Sequence, residues 1–385
     1  MIFFGTEDPA HNTTAPTGPL EGSGWQFQGQ WGAFSGTPIA PSYFITAEHF
    51  GHQGNTFVYG GVNYTIIDTK DDPNSDLRIC KVSGTFPTYA PLYTKSDEAG
   101  KQLVIFGRGS KRGGEVVNGS LRGWLWGSGD AVLRWGTNVG TGIFNGGSAY
   151  GANLIGADFN PDAGGDEATL SPGDSGGGAF IKDGGTWKLA GINSWVDGPY
   201  NTVPSNNGQF FAALFNEDGY YLDSLYSGGQ LSEPGSGPGS LYLTRISSQL
   251  NWINGVIGST YANWAGGSPA TGDANSDGTL NLLAYAIGAI TPVSETESKL
   301  PRIDPDGSFV LNESSKADVR YEMQISEELV SWYSVAIKPT GGSWALNPGS
   351  GYPNQSNITL ANSATLSVRD STTSARQFWR LRVEQ

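Results

Sequence analysis

The feature that most constrains this chain is its punctuation. Between residues 1 and 258, short runs rich in branched and aromatic side chains alternate with clusters of Gly, Pro, Asn and Asp. The runs include WQFQGQWGAF, SYFITA, TFVYGGVNYTII, QLVIFGR, GGAFI and WKLAGINSW. Such runs read as strands and such clusters as turns. With 57 Gly, 21 Pro and only 15% charged residues, the chain lacks the long patterned stripes of helical bundles and coiled coils. One helical pattern closes the segment. RISSQLNWINGVIG places Ile246, Leu250, Ile253 and Ile257 on one helix face, and Gly258 can stop it. An all-β domain with a single terminal helix is therefore predicted over 1–258.

At 385 residues the chain exceeds one ordinary domain. Residues 259–272, STYANWAGGSPATG, read as a linker, and NSDGTLNLLAYAIGA reads as a loop followed by a short helix. Together they give a linker and loop-helix segment over 259–300. From Pro301 strand patterns return in SFVLNES, VRYEMQIS, WYSVAI, ATLSVRD and FWRLRV. They predict a small C-terminal β-sandwich over 301–385. Within the first part, PYNTVPSNNGQ and SGGQLSEPGSGPGS read as loops framing an insert, FFAALFNEDGYYLDSLY, that is helix-prone or extended. No solenoid repeat is present.

The formal charge is -14 and it is spread out. Residues 1–258 hold 13 Lys and Arg against 23 Asp and Glu, and 259–385 hold 9 against 13. Without a basic patch, nucleic acid and anionic membranes are disfavoured partners. Cys80 is the only cysteine, so no intrachain disulfide forms, and its apolar run LRICKV reads as a packed thiol. No stretch approaches the roughly 18 apolar residues of a membrane span. The start MIFFGTED reads as a mature terminus behind an added Met, with the signal peptide gone.

The segment SPGDSGGGAF carries the chemistry. A serine that attacks a carbonyl needs a base, a tight turn to present its oxygen, and N–H donors for the oxyanion. Glycines around Ser175 permit the turn, and the amides of Gly173 and Ser175 are the candidate donors. The base must be one of three histidines. His49 follows the apolar strand YFIT, whereas His11 lies in a polar terminal stretch and His52 in a looser turn, GHQG. The orienting carboxylate is expected from Asp76, which precedes LRICKV. Asp68, Asp71 and Asp72 sit in a more polar stretch and are weaker candidates.

These segments resemble the trypsin/chymotrypsin-like serine proteases, in the chain order His, Asp, Ser. GTPIAPSYFITAEH is similar to that family's strand leading to its histidine, SDLRICKV to its aspartate strand, and GDSGG to its nucleophile loop. GINSW is similar to its substrate-binding strand, and LTRISSQLNWI to its closing strand and helix. The resemblance spans about 2–258. It implies two six-stranded β-barrels and a secreted serine endopeptidase acting on protein or peptide. Ser175 would be the nucleophile, His49 the general base and then acid, and Asp76 the orienting carboxylate. The strand Ser194–Trp195–Val196 would pair with the substrate backbone. A catalytically silent surface adhesin on the same scaffold is the competing reading, and an esterase with the same triad is a third.

The resemblance also places Thr169 at the base of the specificity pocket, six residues before the nucleophile, and Val196 on its wall. A Thr base and a branched wall predict a shallow pocket for small or medium apolar residues (Ala, Val, Leu). IFFGTED resembles the family's mature terminus, so a freed Ile2 amine would pair with Asp174. The short loop between His49 and Asp76, and Phe50 where animal members commonly carry Cys, imply a bacterial source and a secreted or cell-surface location. DANSDGTLN resembles a dockerin or EF-hand calcium loop, with Asp273, Asn275, Asp277, Thr279 and Asn281 as ligands of a structural Ca²⁺. The twelfth position is Ala284 rather than Glu, and an Asx-rich turn capping the helix from Leu280 is the alternative. The tail resembles modules appended to exported bacterial proteins. Sorting or surface retention competes there with contact to polysaccharide or insoluble protein, and Trp332 and Trp379 serve either a binding face or the core.

Overall fold

The computed structural model describes residues 1–385 except 148–150, 152, 205–208, 223–233, 259–260, 266–267, 290–295, 312–315, 317, 363–365, 373–375 and 385. Two compact units result, Met1–Ile257 and Gly258–Gln385.

In the first unit, β1 (Ile2–Phe3) precedes a barrel of β2 (Gly29–Trp31), β3 (Phe34–Ala40), β4 (Tyr43–Ala47), β5 (Thr56–Tyr59), β6 (Val62–Asp71) and β7 (Leu77–Ser83). Next come β8 (Gln102–Gly107), β9 (Ser110–Asn118), β10 (Ser120–Gly129), β11 (Arg134–Phe144) and β12 (Leu154–Asp158). They are followed by β13 (Ala168–Thr169), β14 (Gly178–Asp183), β15 (Thr186–Val196), β16 (Tyr200–Asn201), β17 (Ala212–Leu214), β18 (Tyr221–Leu222) and β19 (Ser240–Arg245). The first barrel closes in the order β2-β3-β4-β7-β6-β5, and a second closes as β11-β12-β19-β15-β14-β8. This is the double six-stranded barrel of the chymotrypsin type, as the sequence implied. A separate sheet, β17-β10-β9, stands beside the barrels.

Alternation explains how the barrels meet. Successive side chains of a strand point to opposite faces. In LRICKVS, Leu77 and Ile79 join Val104, Phe106 and Phe180 of the second barrel, while Cys80 and Val82 join Trp31, Phe44 and Phe57 inside the first. Neighbouring β4 divides the same way, with Ile45 and Ala47 toward the second barrel and Phe44 inward. Each fully buried Leu or Ile contributes on the order of 2 kcal/mol. Burial pushes the Cys80 thiol up to about 12, so it stays an uncharged packing group. The terminal helix, α1 (Leu250–Ile257), lays Leu250, Ile253 and Ile257 against the same inter-barrel core. Ile246 is buried just before it, its amide on the Ala190 carbonyl.

The insert expected to be helical or extended supplies β17 and β18; its residues from 223 to 226, and the flanking 205–208 and 227–233, lie outside the described residues.

The second unit holds two four-stranded sheets that share one core. Phe309, Leu311 and Val368 come from one sheet and Tyr321, Met323 and Val335 from the other, a sandwich. The stretch read as linker and loop-helix does not stand apart. Tyr261 and Trp264 of α2 (Tyr261–Ala265) and Tyr285 of α3 (Asn281–Ala286) are buried in that same core. Large aromatic residues at those positions have no exposed alternative of equal stability. Trp379 packs against the core with its ring stacked on Phe309, and the Arg380 guanidinium lies over Trp332.

The 273–281 loop is bound up with itself. The Asp277 carboxylate accepts from the Thr279 amide at 2.8 Å and from the Thr296 hydroxyl at 2.6 Å. Asp273 accepts from the Gly278 amide, Asn275 from the Asp277 amide, and Asn281 from the Ala274 amide. Calcium takes six to eight oxygens. Asp273 Oδ1 is buried without a partner among the described residues, but with only two carboxylates and Ala284 in the closing position the oxygen set falls short of what that ion takes. Among the described residues no cluster of three or more His, Cys, Asp or Glu is arranged to hold a metal. The capping alternative fails too, since Leu280 stands at the cap of α3 and no side chain bonds the helix start.

Candidate active site

Strands β4 and β7 bring the first two site residues together. Ala47 pairs with Leu77 at the end of the ladder. His49 lies two residues beyond Ala47 and Asp76 one before Leu77, so their side chains emerge at the same barrel edge. Backbone bonds fix them there. The Glu48 amide reaches the Asp76 carbonyl at 3.2 Å, and the amides of Glu48 and His49 reach Asp76 Oδ1 at 3.1 and 2.9 Å. Asp76 is 5% exposed.

The other carboxylate oxygen, Oδ2, lies 2.7 Å from His49 Nδ1 and accepts from Ser194 Oγ at 2.6 Å. His49 Nε2 lies 2.9 Å from Ser175 Oγ. A proton held on Nδ1 by Asp76 leaves Nε2 as the acceptor for the Ser175 hydroxyl. Asp76 thus receives four donors.

Ser175 sits on the turn leading into β14. Gly173 has φ +97, a conformation that disfavours side chains, and a Cβ there would lie 3.1 Å from Gly109 Cα. Among the described residues neither the Gly173 nor the Ser175 amide donates a hydrogen bond within the protein. The Asn193 amide group ties the turn down, donating to the Phe106 and Asp174 carbonyls at 2.7 and 2.9 Å.

Asp174 is fully buried and anchors the turn from behind. Its oxygens accept from the Gly109 amide at 2.8 Å and the Ser171 amide and hydroxyl at 2.9 Å each. The chain's terminal amine completes the set at 2.8 Å. With Met1 in place, that amine is Met1's. Ile2 is held in the β1–β13 pairing with Thr169, a register that carries Met1 N onto Asp174. The amine also donates to the Ser110 carbonyl and Ser171 Oγ. Burial lowers its pKa, opposed by the Asp174 charge.

A pocket of about 410 Å³ opens beside Ser175 and His49. Leu170, Ser171 and Pro172 line one side, Ser194, Trp195 and Val196 another, with Gly198 and Pro199 beyond. Thr169 is not among its walls. Pairing with Ile2 draws it away, and its hydroxyl is buried without a partner among the described residues. Val196 lines the pocket, which at about 410 Å³ is larger than its branched side chain led one to expect. The β14–β15 ladder ends at Gly178 opposite Ile192, while β15 runs on along the pocket to Val196. Trp126 and Phe211 close the far wall, a contribution of β10 and the insert that no local sequence signal announces. Gln209 lies beside them.

Next to the pocket residues Val196 and Gly198, Asp197 belongs to a group of buried and half-buried acids. Asp197 accepts from the Ser240 amide at 2.7 Å, Asp158 from the Ser240 hydroxyl at 2.8 Å, and Glu217 from the Tyr200 hydroxyl at 2.7 Å. Burial raises Asp197 to about 6 and Glu217 to about 7, and the neighbouring carboxylates add to both shifts.

No family model matches this chain. No curated protein matches it either. Among solved structures, it is similar to the inactive form of the Rv3671c protease, at 13% identity and a TM-score of 0.33, over 64% of this chain and 98% of that one. It is also similar to the active form of that protease from M. tuberculosis, at 13% identity and a TM-score of 0.35, over 64% and 89% of the two chains. A likeness this distant says nothing about the chemistry of Ser175.

Proposed function

We propose that this chain is a serine endopeptidase in which Ser175, His49 and Asp76 act as nucleophile, base and orienting carboxylate. The observation that carries the reading is the continuous relay from Ser175 Oγ through His49 to Asp76, at 2.9 and 2.7 Å. Ser175 Oγ bonds to the scissile carbonyl carbon as its proton passes to His49 Nε2. The buried Asp76 carboxylate orients and stabilises the imidazolium. The tetrahedral oxyanion faces the unused amides of Gly173 and Ser175. Collapse breaks the C–N bond, and the His49 proton leaves with the amine. A water then repeats the sequence on the acyl-enzyme, with His49 as base, and releases the acid.

The substrate backbone adds beside β15 at Ser194 and Val196, and its side chain enters the adjoining pocket. The apolar lining suits apolar side chains. A fluorophosphonate probe tests the reading, with cleavage of a denatured protein measured alongside. Labelling and cleavage that both vanish in Ser175→Ala are expected, with a loss of about 10⁴-fold or more. Absence of labelling in folded protein would sink it in favour of a silent binding protein, and ester turnover without protein cleavage would favour an esterase.

A further inference from the structure

The pocket beside Ser175 is larger than a small side chain needs. At about 410 Å³ it falls in the range of cavities that enclose whole small-molecule ligands. Its walls are mainly apolar, and among the described residues His49 is the one titratable side chain lining it. Asp197 stands between the lining residues Val196 and Gly198, yet its carboxylate is engaged by the Ser240 amide and the Tyr242 hydroxyl. A lysine or arginine side chain would enter without a counter-charge, which is costly.

The far wall is aromatic and held rigidly. Trp126 lies on β10 and Phe211 immediately precedes β17. Leu125 pairs with Ala212, and the Trp126 amide continues the ladder to the Phe211 carbonyl at 3.2 Å. Their rings stack with centroids 5.1 Å apart and planes 27° from parallel. Phe211 is nevertheless 50% exposed. A large ring that a strand ladder holds beside a nucleophile, half open to solvent, gains most from a partner that covers it.

We propose that Trp126 and Phe211 are the specificity-determining residues and that the enzyme cleaves after bulky apolar residues, Phe, Tyr and Leu, rather than small ones. The proposal rests on the endopeptidase reading and names its substrate class. It also gives the insert around β17 a task, since Phe211 comes from it.

The test uses the full chain and peptides that differ only in the residue before the cleaved bond. The kcat/KM for Phe or Leu is expected to exceed that for Ala by about tenfold or more, with Lys lower still. Phe211→Ala is expected to lower the Phe value about tenfold further than the Ala value. Equal or better cleavage after Ala or Lys, or a Phe211→Ala effect equal for all peptides, overturns the proposal. A second measurement reads the pocket without chemistry. Calorimetric titration of Ser175→Ala protein is expected to show peptide acids ending in Phe binding about tenfold more tightly than those ending in Ala. That preference without fluorophosphonate labelling of the wild type would sink the endopeptidase reading and keep the pocket. Labelling without the preference would sink the pocket proposal alone.

Discussion

The Met1 amine lies 2.8 Å from the carboxylate of Asp174, the residue immediately before Ser175. The pair is buried on both sides and shares its oxygens with three donors from loops that flank the nucleophile turn. Its effect is to hold the Gly173–Ser175 turn, whose two amides donate no hydrogen bond among the described residues. Asp174→Asn keeps the shape but leaves a buried amine without its counter-ion, a loss on the order of 3–5 kcal/mol for such pairs. Turnover is expected to fall by about 10²-fold or more, as when an oxyanion donor is lost. A residue added ahead of Met1 displaces the amine and is expected to do the same. Active-site titration with kcat for both variants checks this, and full activity in either would refute the anchoring role.

Ser194 supplies the fourth donor to Asp76, at 2.6 Å from the oxygen that also meets His49. The other two backbone donors stay in place in Ser194→Ala, so the strand end keeps its shape. The carboxylate loses one charge-assisted bond, worth about 1.5–3 kcal/mol. A drop in kcat of about tenfold is expected, with a melting temperature within a few degrees of wild type. An unchanged kcat would mean that the amides of Glu48 and His49 alone suffice to hold Asp76.

What the sequence revealed follows strand logic. YFIT and LRICKV are apolar on both faces because β4 and β7 separate two cores, and the residues at their ends are therefore held firmly. Local pattern was enough to bring His49 and Asp76 forward. It failed where position depends on distant pairing. Counting six residues back from Ser175 reached Thr169, but β13 pairs with β1 and removes that residue from the pocket. Thr169 and Val196 together implied a shallow pocket, whereas Trp126 from β10 and Phe211 from the insert beside β17 also line it. Tyr261 and Trp264 looked like linker residues because their core partners lie in the later sandwich strands.

Gly176 is where the nucleophile turn touches the first barrel. Its φ is +78, and a Cβ would fall 2.2 Å from Thr46 Oγ1 and 2.5 Å from the Ser35 carbonyl oxygen. Thr46 Oγ1 is itself bonded to that carbonyl at 2.7 Å, so neither atom can retreat cheaply. Gly176→Ala combines backbone strain with overpacking, together about 2–5 kcal/mol. Denaturant unfolding is expected to show that loss of stability, with Ser175 labelling slowed. A stable, fully reactive variant would show that the turn has another conformation available.

Glu217 links the acid group that includes Asp197 to pH. Burial, with Asp197 next in size, raises its carboxyl to about 7 from an ordinary value of 4.5. The Tyr200 hydroxyl opposes that rise by donating to Oε1. Asp158, Asp197, Tyr200 and Tyr242 are the titratable groups that face this cluster, and among the described residues no Lys or Arg pairs with its three carboxylates. A raised folded-state value means the folded protein holds the proton more tightly than the unfolded chain. The stabilisation is complete below the unfolded value of 4.5 and is lost as pH rises through about 7. Glu217→Gln keeps an acceptor for Tyr200 and removes the ionisation. Its stability relative to wild type is expected to be near neutral at about pH 4.5 and increasingly favourable toward about pH 8. Asp197, raised to about 6, keeps part of the slope in the variant. Urea unfolding of both proteins across that range checks the sign, and a variant that loses ground as pH rises would show that Glu217 is ionised and stabilising in the folded protein.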